Sequence, residues 1–258
     1  MFPALYISHG SPAMIITDCP ARDFLAGLGT SLGRPRAILA ISAHWDTAAP
    51  SVNAPERNAT IHDFYGFPPV LYRITYPAPG SRELAAAVTS LLDAAGLPTT
   101  TDPQRGLDHG AWAPLALMYP EADIPVVQLS LQTQRGPAHH LRLGTALQAL
   151  RDQDVLILAS GSFTHNLREF HGHDLFDPAP AWVTDFTDWM DAAIQERRVD
   201  DLVDYRRLAP NAVRNHPTDE HLLPLYVALG AGRVDQPIEH LHDSVTYGVL
   251  RLDAYAFH

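Results

Sequence analysis

Short, mostly apolar runs rich in small and branched residues recur along the chain. They are ALYIS (Ala4–Ser8), AILAIS (Ala37–Ser42), IPVVQLSL (Ile124–Leu131) and DVLILAS (Asp154–Ser160). Runs of this length with few polar breaks predict strands buried on both faces. Between them the spacing turns helical. SRELAAAVTSLLDAAG (Ser81–Gly96) repeats apolar residues at i, i+3 and i+4, with Ser81 placed to cap its start and Gly96 to stop it. Further helices are predicted over Asp23–Leu32, Trp112–Tyr119, Ala138–Arg151, Ala181–Arg197 and Asp219–Leu229. A Pro- and Gly-rich loop, HDFYGFPP, covers His62–Pro69, and the chain closes on SVTYGVLRLDAYAF (Ser244–Phe257), partly alternating and strand-like. Strands alternating with helices predict an α/β fold. We expect a single domain over residues 1–258, with a mostly parallel central sheet covered by helices on both faces. The C-terminal run is available as an antiparallel edge strand.

Composition narrows the function. The 258 residues suffice for a sizeable core. Eighteen Lys and Arg against 29 Asp and Glu give a formal charge of −11, so there is no basic footprint for nucleic acid and no attraction to an anionic membrane surface. Cys19 is the only cysteine, which excludes an intrachain disulfide and a thiolate zinc cluster. No apolar run reaches the ~18 residues of a spanning helix. The opening MFPALYISHG shows neither basic leader nor long apolar core, so a cytoplasmic protein is expected.

Fourteen histidines are the unusual feature. Three follow predicted strands: ALYIS runs into His9, AILAIS into His44, and DVLILAS through GSFT into His165. Ligand sites in α/β sheets form beyond the carboxyl ends of parallel strands. Three imidazoles at one such edge would make a metal site suited to zinc, iron, copper or nickel. Gly10, Ser11, Ala43, Gly161 and Ser162 leave room beside them. A fourth donor lies in PTDEHLLPLYVALGA. If Thr218 caps the helix, His221 is its third residue and faces the core with Leu225 and Ala228, while Glu220 points toward Leu223 and Val227. Either His221 or Glu220 could complete the site, with Pro224 freeing the Glu220 carbonyl and bending the helix. His109, in RGLDHGAW, opens a helix beside a capping Asp108, where the dipole favours a neutral imidazole able to donate to a bound oxygen. His216 is expected in a solvated loop, and His139 and His140 facing solvent. His171, His173, His240, His242 and His258 follow no pattern. No G-x-S-x-G elbow, P-loop, G-x-G-x-x-G or H-E-x-x-H occurs.

Taken together and in order, SHGSP, SAHW, HDFYGFP, GLDHGAW, QLS, SGSFTHNL and PTDEHLLPLYVALGA resemble the class III extradiol ring-cleavage dioxygenases, in particular the 4,5-DOPA dioxygenase extradiol subgroup. The resemblance covers nearly the whole chain. It implies an α/β catalytic domain that opens a catechol (DOPA-like) ring with O₂, using non-haem Fe(II). It also implies that His9, His44 and His221 are metal ligands, that His165 is the acid/base and a further candidate ligand, and that His109 contacts oxygen or substrate. His221 stands where more distant relatives carry a carboxylate, which makes the site more positive. Zn(II) is expected in aerobically purified protein, since it binds imidazole sites more tightly than Fe(II). Trp45, Tyr65, Phe67 and Trp112 are candidates for an aromatic pocket. The expected partners are a small catechol and O₂, with the chain a monomer or small homo-oligomer. A zinc-dependent hydrolase or lyase on the same scaffold, and a non-enzymatic metal-binding protein, are the alternatives.

Overall fold

A computed structural model describes residues 1–258. Eight strands form one sheet: β1 (Ala4–Ser8), β2 (Ala37–Asp46), β3 (Ser51–Asn53), β4 (Thr100–Asp102), β5 (Val126–Leu131), β6 (Val155–Gly161), β7 (Ile238–His242) and β10 (Ala254–Phe257), in the order β4-β3-β5-β2-β6-β1-β10-β7. β8 (Val245–Thr246) and β9 (Leu250–Arg251) make a separate small hairpin. The helices are α1 (Pro20–Leu32), α2 (Arg82–Ala94), α3 (His109–Met118), α4 (Gly136–Leu147), α5 (Ala181–Gln195), the short α6 (Val199–Val203), α7 (Tyr205–Leu208) and α8 (Ala212–Asn215), and α9 (Leu223–Ala231).

The expected mostly parallel α/β sheet is present. β5, β2, β6 and β1 run parallel, and they are the four apolar runs of the sequence. Their side chains alternate between two cores. Tyr6, Leu39 and Ile157 pack on the side of α2, α4, α5 and α9, while Leu5, Ile38 and Leu156 pack on the side of α1 and α3. Burial on both faces explains why these strands read as nearly continuous apolar runs. No helix is long and apolar enough to cross a membrane.

Several elements differ from the expectation. β10 is antiparallel to β1, as its sequence allowed, but it is not the edge: β7 pairs outside it. β7 reads IEHLH and is half-exposed, so it gave no apolar signal. The helix expected from Asp219 begins at Leu223, with Pro224 in its first turn. Proline has no N–H to give the Glu220 carbonyl, so it suits a helix start and not an interior. Asp219–Leu222 is therefore a turn, closed by Leu222 and Leu223 N–H groups on the Asp219 carbonyl, and His221 precedes the helix. β2 continues past Ser42, so His44 sits within the strand. His216 and His140 are fully buried, against expectation. His216 faces the Phe163 carbonyl at 3.0 Å. His140 lies between the Gly136 carbonyl, 2.7 Å from Nδ1, and the Gln132 N–H, 3.2 Å from Nε2. Both rings fill core space and satisfy backbone groups, a reason for burial that local polarity does not reveal. His139 is half-buried and meets Gln132 Oε1 at 2.9 Å.

Candidate metal centre

β2, β6 and β1 are adjacent and in register, with Ser42 opposite Ser160 and Ser8 opposite Gly161. Their carboxyl ends therefore deliver His44, His165 and His9 to one edge of the sheet, as the histidine pattern predicted. His221 arrives from the turn before α9. Its carbonyl accepts the Ser162 N–H at 2.8 Å, and a Cβ on Gly161 would sit 2.0 Å from that carbonyl oxygen. Only glycine at 161 permits this approach. α3 starts three residues earlier than expected and brings His109 in as its first residue. Asp108 caps it by accepting the Ala111 N–H at 3.3 Å and is itself held by Gln128 Nε2 at 2.6 Å.

The donor atoms converge. His9 Nε2 and His44 Nε2 lie 3.1 Å apart, and one nitrogen from each of His9, His44 and His221 falls within 4.8 Å of the others. Two imidazoles ligating one ion at about 2.1 Å place their nitrogens roughly 3 Å apart, so this set fits a first-row divalent cation. Burial, followed by the charges of the neighbouring imidazoles, holds His9 and His221 well below the ordinary histidine value, and His44 is lowered for the same reasons. The rings are therefore neutral at pH 7, the form that binds metal.

A proline far along the chain sets the tautomer of His9. Pro114 lies inside α3 and has no N–H for the carbonyl of Gly110, four residues earlier. That carbonyl accepts the Ser160 hydroxyl at 2.5 Å instead. With its proton committed, Ser160 Oγ can only accept from His9 Nδ1–H, 2.9 Å away. The lone pair of His9 is thereby placed on Nε2, facing His44. Gly110 is also required sterically, since a Cβ there would meet Ser42 Oγ at 2.4 Å and the His44 and His9 rings at 3.0 and 3.1 Å.

Asp63, from the HDFYGFP loop, carries the second supporting contact, which the sequence reading did not single out. One oxygen accepts both the His109 backbone N–H at 3.0 Å and His109 Nδ1–H at 2.9 Å, and the other lies 3.7 Å from His44 Nδ1. Burial raises the Asp63 carboxyl, but the hydrogen bonds and charge of His109 outweigh it and hold the group below the usual carboxylate range. With Nδ1–H so engaged, His109 has Nε2 left to meet a bound oxygen or substrate, as an acceptor when the ring is neutral and as a donor when it is protonated. Glu220 plays a similar part at His221, its Oε1 3.1 Å from Nδ1. It supports the histidine and does not join the His9–His44–His221 set. His165 stacks on His221, ring centroids 3.4 Å apart and planes 12° from parallel, and its nitrogen groups with Glu220 and His221 instead of with His9 and His44. Burial pushes its pKa down to about 4.

These five imidazoles floor a cavity of about 500 Å³. Phe64, Phe67, Phe170 and Leu250 form its wall, and Tyr65, Leu167 and His171 its rim. Of the four aromatic candidates, Tyr65 and Phe67 line it. Trp112 is fully buried, donating from Nε1 to the Ile61 carbonyl, and Trp45 packs under the Arg105 guanidinium, so neither does.

The family model described as the catalytic LigB subunit of aromatic ring-opening dioxygenase matches residues 3–257. The 4,5-DOPA dioxygenase extradiol of Beta vulgaris is 44% identical over 256 residues, 98% of this chain and 95% of that protein. The protein of the same name from Escherichia coli (strain K12) is 41% identical over 254 residues, 97% of this chain and 92% of that one. A crystal structure of an uncharacterized protein from Escherichia coli K12 aligns with a TM-score of 0.84 at 36% identity, covering 100% of both chains.

Proposed function

Since this chain belongs to the family of the catalytic LigB subunit of aromatic ring-opening dioxygenases and is an extradiol ring-cleaving dioxygenase, we propose that His9, His44 and His221 hold a ferrous ion at which a catechol, DOPA-like compounds among them, is opened with O₂. The observation that carries the ligand assignment is the approach of His9 Nε2 to His44 Nε2, 3.1 Å apart, with His9 Nδ1 turned to Ser160 Oγ so that Nε2 is left to carry the lone pair. Bound iron supplies the sites and the electron transfer that bring catechol and O₂ to reaction. The protein does the rest. His165, neutral at working pH, takes a hydroxyl proton from the catechol and later returns one. His109 accepts a hydrogen bond at Nε2 and, once protonated, donates to charge developing on oxygen, with Asp63 holding its ring in place. Phe64, Phe67 and Leu250 exclude water from the ring being opened. A cytoplasmic setting, with its reducing poise, suits a ferrous centre and a chain whose one cysteine is buried and free.

Iron-loaded protein prepared without oxygen, mixed with catechols and O₂, tests the proposal. We expect oxygen uptake with formation of a ring-opened product. Aerobically purified protein should carry zinc and be inactive until the zinc is exchanged for Fe(II). A fully active zinc form with an inert iron form would transfer the site to hydrolase or lyase chemistry, which no relative found supports.

A further inference from the structure

The cavity contains no fixed charge apart from what its histidines can carry. No Lys, Arg, Asp or Glu lines it. The two carboxylates nearest the floor, Asp63 and Glu220, are each engaged by an imidazole Nδ1, of His109 and His221. The wall is chiefly aromatic and aliphatic; Ser11 and Ser162 also line the cavity, but their hydroxyls are engaged by the Ala13 N–H and the Thr164 carbonyl, and the rim residues Tyr65 and Leu167 are 90% and 56% exposed. His171 at the rim is exposed as well, and Arg168, next to Leu167, lies outside the lining.

A ring substituent on a bound catechol then has two places to go. Against Phe64, Phe67 and Phe170, a carboxylate or ammonium loses water without gaining a partner, which disfavours binding. Beyond Tyr65 and Leu167 it stays hydrated, and a contact there with the exposed His171 imidazole is screened by water and contributes little. An apolar substituent gains on the same wall by leaving water. The formal charge of −11 adds long-range repulsion against anionic catechols.

We infer that this cavity selects catechols whose ring substituent is uncharged and apolar, and that the amino-acid group of a DOPA-like substrate contributes little to recognition; the inference rests on the ring-cleaving reading above. The ring is recognised by the histidine floor, and the substituent chiefly by apolar contact.

The test compares catechol, 4-methylcatechol, 4-ethylcatechol and L-DOPA on iron-loaded protein. 4-Ethylcatechol retains the two side-chain carbons next to the ring of L-DOPA without either charge. kcat/KM should rise about fourfold for each CH₂ buried, and L-DOPA should be no better than 4-ethylcatechol. Titration of zinc-loaded protein, which binds without turnover, should rank the Kd values in the same order. Arg168→Ala should leave the ratio of the two substrates unchanged. A tenfold or greater preference for L-DOPA over 4-ethylcatechol, or a loss of L-DOPA turnover alone in Arg168→Ala, overturns the inference while leaving ring cleavage standing. Absence of oxygen uptake with every catechol on stoichiometrically iron-loaded protein overturns the ring-cleaving reading itself, and this inference with it.

Discussion

Asp63→Ala gives the sharpest test of how the site is held. The carboxylate accepts two N–H groups of one residue, the His109 backbone N–H at 3.0 Å and Nδ1–H at 2.9 Å. Truncation strands both. The backbone N–H opens α3, so no helical carbonyl can replace the lost acceptor. Each stranded group costs about 1–3 kcal/mol when dry. Asp63 is a quarter exposed, so water reaches part of the space, and we expect a net loss of about 1–2 kcal/mol in unfolding free energy. The catalytic effect should exceed this. Without Asp63 the His109 ring turns freely and exchanges tautomers, and misplacement of a reacting group by about 1 Å costs on the order of 10²-fold in rate. kcat should therefore fall by roughly 10–100-fold with KM little changed. Metal content should stay stoichiometric, because the contact to His44 Nδ1 is long, at 3.7 Å. Asp63→Asn keeps an acceptor for the backbone N–H but removes the charge, so stability should approach wild type while kcat remains depressed. Oxygen-electrode kinetics, elemental analysis for iron and thermal unfolding on the same preparations give the three readouts. Wild-type kcat in Asp63→Ala would refute the reasoning. So would an activity loss fully reversed by added Fe(II), since the defect would then lie in metal retention.

Replacing His9, His44 or His221 with Ala should sharply reduce bound metal; stoichiometric metal in all three variants would move the centre elsewhere. His165→Ala should lower turnover by roughly 10²–10⁴-fold with the fold and metal intact, and near-native turnover would remove it from acid/base duty. His140 offers a pH test remote from the metal. Burial, with a smaller contribution from the neighbouring His139, lowers it to about 4, and a proton on Nε2 would also face the Gln132 N–H. The unfolded chain takes up the proton near pH 6.5 and the folded chain only near 4, so the contribution is intact above about pH 6.5 and lost as pH falls toward 4, by roughly 3 kcal/mol in all. Urea unfolding of wild type and His140→Gln at pH 7 and 4.5 should show a smaller acid loss in the variant; equal losses would refute the assignment.

The amino-acid sequence by itself determined the parallel centre of the sheet and the ends from which the histidines project. Apolar runs such as Ala37–Ser42 and Asp154–Ser160 are local signals, and a strand buried on both faces must carry them wherever it sits in the fold. His9 follows such a run directly and His44 and His165 lie a few residues past theirs, so their delivery to one edge of the sheet could be read before any coordinates. The supporting contacts could not. Asp63 meets His109 across 46 positions and Ser160 meets His9 across 151, and neither has a periodicity to announce it. Pro114 signals only a missing donor; that the freed Gly110 carbonyl takes the Ser160 hydroxyl depends on α3 lying over β6. The burial of His140 and His216 and the edge position of β7 have the same origin. A polar side chain's surroundings depend on which distant segments pack around it, and an edge strand is recognised by the neighbour it lacks. Tertiary structure decided these points because hydrogen bonds and burial are set by positions in space, whereas sequence patterns report only a residue's place along its own element.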